Sequence, residues 1–260
     1  MAAFYSPARS VYSRPQRCYA VGGLGTTVMP APRLPRDIPR YAKVCLEAVA
    51  ETGCGEAVSV GGAFGLAHYH EYRGTNDVDC WWEPEAGSQE RARVIAAVQQ
   101  ALAREGRVGV RAWGDVTSVE LAREGRVVFS FQVAARSGRL RPPFRGLWPG
   151  GVAVDSLEDL VASKMVALVN RGAPRDFRDI HAVVTAGLMD AMQCWSLWEE
   201  RQRLSGEDAD PGRARLAVRS HLARIEVARP LPSIADEAER ARAADVRRWI
   251  TTELLHEPAD

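Results

Sequence analysis

The chain has 260 residues, of which 46% are hydrophobic and 26% are charged. These fractions are typical of a globular protein, and they exclude a chain that is disordered throughout, a collagen-like fibre and a coiled-coil rod. Its 34 Lys and Arg residues are almost balanced by 33 Asp and Glu residues. A globally basic nucleic-acid binder is therefore not indicated, although a local basic patch remains open.

The sequence favours a cytoplasmic location. Its five cysteines are odd in number and form no CxxC pair, which argues against a disulfide framework or a zinc ribbon and for a reducing compartment. No apolar stretch reaches the roughly 18 residues that span a membrane, and the N-terminus lacks the apolar segment of a secretory signal. We therefore expect no membrane partner.

Three regions follow from composition and hydrophobic periodicity. Residues 1–36 are rich in Pro, Gly, Ser and Arg and predict a flexible N-terminal arm. Residues 37–155 mix helical and strand patterns and predict an α/β domain, whereas residues 156–260 predict a helical domain. The fold class is therefore α+β, with a mixed sheet and its helices followed by a C-terminal helical region.

The predicted elements alternate at first and then become helical. Candidate N-terminal caps are Asp37, Ser88 and Ser156, and Ser233 and Asp236 offer a capping pair before a charged C-terminal helix. Helices are expected over about 37–53, 63–72, 88–104, 156–170 and 174–187, and strands over about 57–60, 76–82, 108–113, 116–122 and 126–134.

Asp77 and Asp79 are the first candidates for chemistry. Residues two apart on a strand point to the same face, so the two carboxylates should lie side by side on a rigid element. Like charges this close are costly unless a cation lies between them. Mg²⁺ prefers a few carboxylates together with waters and phosphate oxygens. The pair predicts a magnesium and triphosphate site; the alternative is two solvated carboxylates at a strand end.

Gly61 and Gly62 lie where a predicted strand passes into a helix. Without side chains, the backbone there can approach a phosphate closely, and the free N–H groups of a helix N-terminus attract an anion. A tight turn that needs small residues is the alternative. Together with Asp77 and Asp79, the glycines predict one binding site, in which backbone amides bind phosphates and carboxylates bind metal.

The string Gly61-Gly62 followed by Arg73-Gly74-Thr75-Asn76-Asp77-Val78-Asp79 resembles the first motif of the DNA polymerase β-like nucleotidyltransferase superfamily. The branch it resembles is that of the AbiEii/AbiGii-type toxins, which include the MenT toxins. Lys164 on a predicted helix and the element Arg175-Asp176-Phe177-Arg178-Asp179 are similar to that family's later motifs. The resemblance covers approximately residues 37–187.

The resemblance implies an enzyme that moves a nucleotidyl group from an NTP to an acceptor hydroxyl and releases pyrophosphate. Asp77 and Asp79 would hold Mg²⁺ and activate the acceptor oxygen, and Lys164 would stabilise charge on the phosphoryl oxygens. The triphosphate would be bound by Gly61, Gly62, Arg73 and Thr75. The implied acceptor is the 3′ end of tRNA, and the implied role is that of a toxin neutralised by a cognate antitoxin.

Lys164, Asp176 and Asp179 leave alternatives open. Lys164 lies beside an apolar stripe, where it could neutralise a nucleotide phosphate or extend to solvent. Asp176 and Asp179 are three apart and share a helical face. They could orient Lys164, support the metal or position an acceptor, or they could form surface ion pairs with Arg175 and Arg178. Asp179 is preferred because the family pattern ends on that residue.

Gln132 departs from the pattern of the superfamily. Polymerase β-like enzymes commonly carry a third carboxylate on a neighbouring strand, where this sequence has Gln132. Glutamine binds Mg²⁺ weakly, which leaves three alternatives. The metal site uses two aspartates, Asp115 or Glu120 takes the place of the third carboxylate, or activity is weakened. Transfer to a small molecule or a protein hydroxyl, and a catalytically degenerate protein that binds NTP or a partner, are therefore alternative functions.

Other residues carry weaker hypotheses. His68 and His70 are two apart on a predicted helix and do not face each other, so they are interpreted as core or surface residues. Of Trp81 and Trp82 at the end of the Asp77–Asp79 strand, one ring should pack in the core and the other should face outward, where it could stack on a base. An arginine-rich loop predicts either a solvated segment or a contact with an RNA backbone; its arginines are Arg136, Arg139, Arg141 and Arg145.

Overall fold

The computed structural model describes residues 30–256 of the chain. The strands in this range are β1 (Val58–Val60), β2 (Asp77–Trp82), β3 (Arg107–Trp113), β4 (Val116–Arg123), β5 (Arg126–Ala134) and β6 (Ala153–Val154). The α-helices are α1 (Arg40–Glu51), α2 (Gly62–Ala67), α3 (Ser88–Ala103), α4 (Leu157–Asn170), α5 (Pro174–Thr185), α6 (Ala191–Ser205), α7 (Pro211–Ala228) and α8 (Glu237–Trp249).

The strands form one mixed sheet in the order β3-β4-β5-β2-β1-β6. The central strand β2 pairs antiparallel with β1 and parallel with β5. From α4 onward the chain is helical as far as the description reaches. The predicted α+β class is therefore confirmed.

The sequence placed the long strands and most helices correctly, with two differences near the N-terminus. The helix expected over 63–72 ends at Ala67. Beyond the helix, the carbonyl of His68 accepts the N–H of Arg33 at 2.8 Å and so is not available to a further helical turn. Helix α1 begins at Arg40, since Pro39 is still extended and makes no side-chain cap.

Most of the arm expected over residues 1–36 lies outside the described residues. The final part of it, which the structure describes, contacts the segment that follows α2. Besides the bond from Arg33, the N–H of Arg36 donates to Glu71 Oε2 at 2.9 Å.

The alternation of β2 and β5 separates the core from a polar face. One face of the two strands packs under α1 and α3; its central residues are Val78, Cys80, Phe131 and Val133. The opposite face carries Asp77 and Asp79. Because successive side chains on a strand point to opposite faces, burial of the first set turns both aspartates away from that core.

Two hydrophobic clusters hold the molecule together. The first is built from the sheet with α1 and α3, and the second mainly from α4 to α8. Their members change over between Val154 and Leu157, beside the boundary at 155 that we propose between two domains. Helix α2 lies between them, because Phe64 belongs to the first cluster and Leu66 to the second. None of the described helices combines the length and the hydropathy needed to cross a lipid bilayer.

His68 is fully buried between α2 and the loop that precedes β6. Trp148 Nε1 donates a hydrogen bond to His68 Nε2 at 2.9 Å, so the proton of the ring lies on Nδ1, which faces the carbonyl of Phe64 at 2.9 Å. The bond from Trp148 needs the neutral imidazole, because a protonated ring has no acceptor nitrogen. Burial lowers the pKa of His68 to about 4 from an ordinary value of 6.5.

We expect acid to destabilise the fold through His68. Because its folded-state pKa is lowered, the stabilisation is complete above pH 6.5 and is lost as the pH falls toward 4. The loss should be on the order of 3 kcal/mol in the free energy of unfolding. Urea unfolding at several pH values, with His68→Gln beside the wild type, checks this. Parallel pH dependences for the two proteins would contradict it.

Candidate functional site

Ser130 on β5 holds Asp77 in position. In the register of the sheet, Asp77 lies opposite Ser130, and Asp79 lies opposite Gln132. Ser130 Oγ donates to Asp77 Oδ1 at 2.7 Å and accepts from Gln132 Nε2 at 3.3 Å. A hydroxyl has one proton, so the bond from Gln132 leaves that proton directed at Asp77.

The charged form of Asp79 has less support from hydrogen bonds than that of Asp77. Among residues 30–256, no side chain or backbone N–H donates a hydrogen bond to the carboxylate oxygens of Asp79. Burial raises the pKa of Asp79 above its ordinary value; the charge of Lys164 opposes this rise, and that of Asp77 adds to it. Two carboxylates with so few donors form a site that a cation would stabilise.

Helix α2 begins directly against Asp79. Gly61 N–H donates to the backbone carbonyl of Asp79 at 2.7 Å. Gly62 has a φ of +59°, and a Cβ on it would overlap the Asp79 carboxylate. Only glycine combines that backbone conformation with that close approach. The amide of Gly61 is thus already used, and the N–H groups of Gly62 and Ala63 belong to the first turn, where donors have no intrahelical acceptor.

Asp179 joins the helical part of the site to the loop before β2. Lys164 Nζ lies 2.7 Å from Asp179 Oδ2, and Arg73 donates from Nε and Nη2 to the two Asp179 oxygens at 2.8 and 3.0 Å. Asp179 is fully buried. Burial alone would raise the pKa of Asp179, but the hydrogen bonds from Arg73 and the charge of Lys164 lower it. Lys164 is itself buried and does not extend to solvent.

Asp176 contacts different partners from Asp179. It accepts from Arg171 Nε and Nη2 at 2.8 and 2.9 Å, and from the N–H of Ala173 at 3.1 Å. These contacts fix the turn between α4 and α5. Asp176 and Asp179 therefore lie on the same helix but contact different residues. Of the two, it is Asp179 that pairs with Lys164.

Thr75 fixes the start of β2. Its Oγ1 accepts the N–H of Asp77 at 3.2 Å, so its hydroxyl oxygen is already bonded to the backbone. The contact places the first aspartate at the end of the Arg73–Asp77 loop.

Among residues 30–256, no third carboxylate joins Asp77 and Asp79. Within residues 30–256, no group of three or more His, Cys, Asp or Glu side chains converges on a metal position. Glu120 lies opposite Ser130 on β4, two strands from Asp77 and so about 10 Å away, and it pairs with Arg111 at 2.6 Å. Asp115 is exposed in the turn between β3 and β4.

The arginine-rich loop after β5 is tied to the protein itself. Arg136 pairs with Asp155 at 2.5 Å and with Asp159 at 3.2 Å, and Arg136 also lies over the ring of Trp81 at 5.3 Å. The other three arginines likewise contact carboxylates: Arg139 and Arg145 contact Glu83, and Arg141 contacts Glu200. This loop is therefore a poorer candidate for an RNA contact than its sequence indicated, and Trp81 is a poorer candidate for base stacking.

The sequence analysis missed Ser130 and the buried carboxylate Asp155, and it interpreted Asp159 only as the capping partner of Ser156. The alternation of β5 could have indicated Ser130, because it precedes Gln132 by two residues and must share its face. The ion pairs of Asp155 and Asp159 gave no signal, since their partners Arg136 and Arg201 are remote in sequence.

Comparisons with known proteins find one matching family and solved structures of similar fold. A model of the family described as "Nucleotidyl transferase AbiEii toxin, Type IV TA system" matches residues 45–249. The chain is similar in structure to JHP933 from Helicobacter pylori, with 15% identity, a TM-score of 0.43, and coverage of 81% of this chain and 90% of that one. A Helicobacter pylori protein described as a candidate nucleotidyltransferase shows 14% identity, a TM-score of 0.45, and coverage of 84% and 97%. No curated protein gives a significant match.

The family match spans most of the chain and includes both halves of the site, from the DxD strand to Lys164 and Asp179. It confirms the family resemblance of the two sequence motifs. The protein therefore belongs to the AbiEii family of nucleotidyltransferase toxins, the toxins of type IV toxin–antitoxin systems.

Proposed function

We propose that the protein transfers a nucleotidyl group from an NTP to the 3′-terminal hydroxyl of a tRNA, with Mg²⁺ held by Asp77 and Asp79. The observation that carries the proposal is the placement of two aspartates on one face of β2, next to a buried Lys164. In this proposal the protein acts in the cytoplasm and is neutralised by a cognate antitoxin, as its family implies.

The donor set fits a magnesium ion. Asp77 Oδ2 and both oxygens of Asp79 accept no hydrogen bond from the described residues, which leaves three carboxylate oxygens for a cation. Mg²⁺ takes one or two carboxylates and completes its shell with waters and phosphates. When bound, Mg²⁺ would neutralise phosphate charge and make the acceptor hydroxyl a better nucleophile.

The residues around the aspartates would position the triphosphate. The first-turn amides of Gly62 and Ala63 would donate to its oxygens, and Lys164 would supply positive charge where the phosphoryl group carries negative charge in the transition state. Asp179 positions Lys164 and Arg73. It pairs with two cations, so the cluster keeps one net positive charge to offer an NTP.

The space beside Asp77 supports a nucleotide substrate. A cavity of about 610 Å³ is lined by the Arg73–Asp77 loop and by the residues that lead into α1, Arg36 among them. Its size is in the range of ligand sites. Transfer to a small molecule or to a protein hydroxyl needs the same donor site, so the experiments below include these acceptors.

We expect Asp77→Asn and Asp79→Asn each to abolish transfer while the fold is retained, because both carboxylates serve one metal. The double variant should be little worse than either single one. The measurement is incorporation of labelled NTP into tRNA across an Mg²⁺ titration, with Asp115→Asn as the exposed control. Near-normal activity in either single variant, at an unchanged melting temperature, would refute the metal assignment.

Lys164→Ala should lower turnover far more than NTP affinity. Removing one contact to transition-state charge typically costs about 2.7–4 kcal/mol, or roughly a hundred- to a thousandfold in rate. Pyrophosphate release and calorimetric NTP binding are compared with those of Lys43→Ala, an exposed lysine on α1. A Lys164 variant that melts earlier but turns over normally would remove Lys164 from the chemistry. A wild type that releases no pyrophosphate with any acceptor would favour a degenerate binding protein.

Gly62→Ala should disrupt the site more than its small size suggests. A Cβ there meets the Asp79 carboxylate, and the positive φ of residue 62 disfavours alanine. Activity should fall at least tenfold, together with a lower melting temperature. Gly74→Ala is the matched control, because a Cβ at Gly74 meets nothing within 4 Å. Equal behaviour of the two variants would contradict the close approach of α2 to Asp79.

A further inference from the structure

A groove of about 770 Å³ lies next to the site, between α5, α7, α8 and the segment 70–74; we call it the α5–α8 groove. Six arginines line it against two acidic side chains, Glu239 and Asp245. Glu239 already pairs with Arg229 at 3.0 Å, and Asp245 lies 3.4 Å from His181. The groove therefore carries a net positive charge on a chain that is almost neutral overall.

Three of its arginines are available to a ligand. Arg175, Arg178 and Arg242 are exposed, and none of them forms an ion pair with a carboxylate of residues 30–256. This distinguishes them from the arginines of the loop after β5, each of which contacts a carboxylate. Exposed guanidinium groups that form no ion pair within the protein can donate hydrogen bonds to the phosphates of a nucleic acid.

The groove also contains a stacked aromatic pair. The rings of His70 and Tyr72 are nearly parallel, with an interplanar angle of 13° and centroids 5.9 Å apart. Arg73 lies 5.7 Å from the Tyr72 ring on the same segment. A half-buried ring at the wall of a basic groove is the arrangement on which unpaired bases stack, whereas a duplex keeps its bases inaccessible.

The groove runs up to the proposed reaction centre. Arg73 and Gly74 line both the groove and the cavity that contains Asp77. In addition, the charge of Arg175, which lines the groove, acts to lower the pKa of Asp79. The groove and the proposed reaction centre therefore lie close in space. A strand that occupies the groove would thus reach Asp77 with its end.

We propose that the α5–α8 groove binds the acceptor as single-stranded RNA, with its phosphodiesters on Arg175, Arg178 and Arg242 and an unpaired base on His70. The inference rests on the proposed function, which it deepens by placing the acceptor strand on named residues. In the proposed function the triphosphate contacts Gly62, Ala63 and Lys164, none of which lines the groove.

The test compares paired variants of the full chain. Arg178→Ala/Arg242→Ala removes two phosphate contacts, and Arg104→Ala/Arg126→Ala removes two exposed arginines that also lack a carboxylate partner within the described range. Binding of a fluorescent single-stranded RNA with a free 3′-hydroxyl is measured across a salt series, and NTP binding is measured beside it. Melting temperatures verify that every variant folds.

We expect the groove variant to lose at least tenfold in RNA affinity, and its salt slope to fall by about 1.4, or 0.7 for each lost phosphate contact. Its NTP affinity and the behaviour of the control pair should stay at wild-type values. His70→Ala should lower RNA affinity roughly five- to a hundredfold. His70→Phe should restore it, since phenylalanine keeps a stacking ring.

Unchanged RNA affinity in the groove variant, or a loss of NTP affinity in its place, would overturn the inference. So would a wild type that binds no single-stranded RNA. Failure of the proposed function is a different result. A wild type that binds RNA through the groove but transfers nothing contradicts that function alone, whereas normal transfer with an unchanged KM for RNA in the groove variant contradicts the groove alone.

Discussion

The Asp179 carboxylate is the contact on which the geometry of the site depends. It is buried in the helical part of the molecule, and it accepts hydrogen bonds from Arg73 on the segment before β2 and pairs with Lys164 on α4. A buried carboxylate without partners is costly, so this one is stabilised only when the sheet and the helices meet in this arrangement. The same contact brings the cation of Lys164 to the vicinity of Asp79. Folding and assembly of the site are therefore one event.

Negative charge comes from the sheet, and positive charge comes from the helices. The backbone of β2 places Asp77 and Asp79 on one face of the sheet, and Ser130 holds the Asp77 carboxylate. Lys164 and Arg175, from α4 and α5, partly offset the charge of Asp79. The two carboxylates repel each other, and burial disfavours the charged form of Asp79. A cation with a triphosphate would satisfy both sets of groups, which is why the arrangement suits nucleotidyl transfer.

Arginine has two separate uses in this protein. Arg136 and Arg201 are buried and meet at Asp159, which also accepts the N–H groups of Leu140 and Arg141. This network fastens the loop after β5 to α4 and α6. Three arginines of the α5–α8 groove, Arg175, Arg178 and Arg242, are exposed and form no ion pair with a carboxylate of residues 30–256. Amino-acid composition cannot distinguish buried, paired arginines from exposed, unpaired ones. The distinction depends on whether the fold places a carboxylate next to each arginine.

The sequence by itself determined the elements and the strand-borne part of the site. Period-two alternation placed Asp77 and Asp79 on one face of β2, and residue order was enough because a strand imposes that geometry locally. It also indicated that Gly61 and Gly62 allow a close approach of the backbone, although the sequence suggested a phosphate as the neighbour and the structure shows the Asp79 carboxylate at Gly62. It left open whether Asp176 or Asp179 meets Lys164, whether Glu120 completes the site, and which arginines are free. Only the tertiary structure decided these points, because each depends on contacts between residues far apart in the chain, such as Arg73 and Asp179, and on strand order, which sets Glu120 two strands from Asp77.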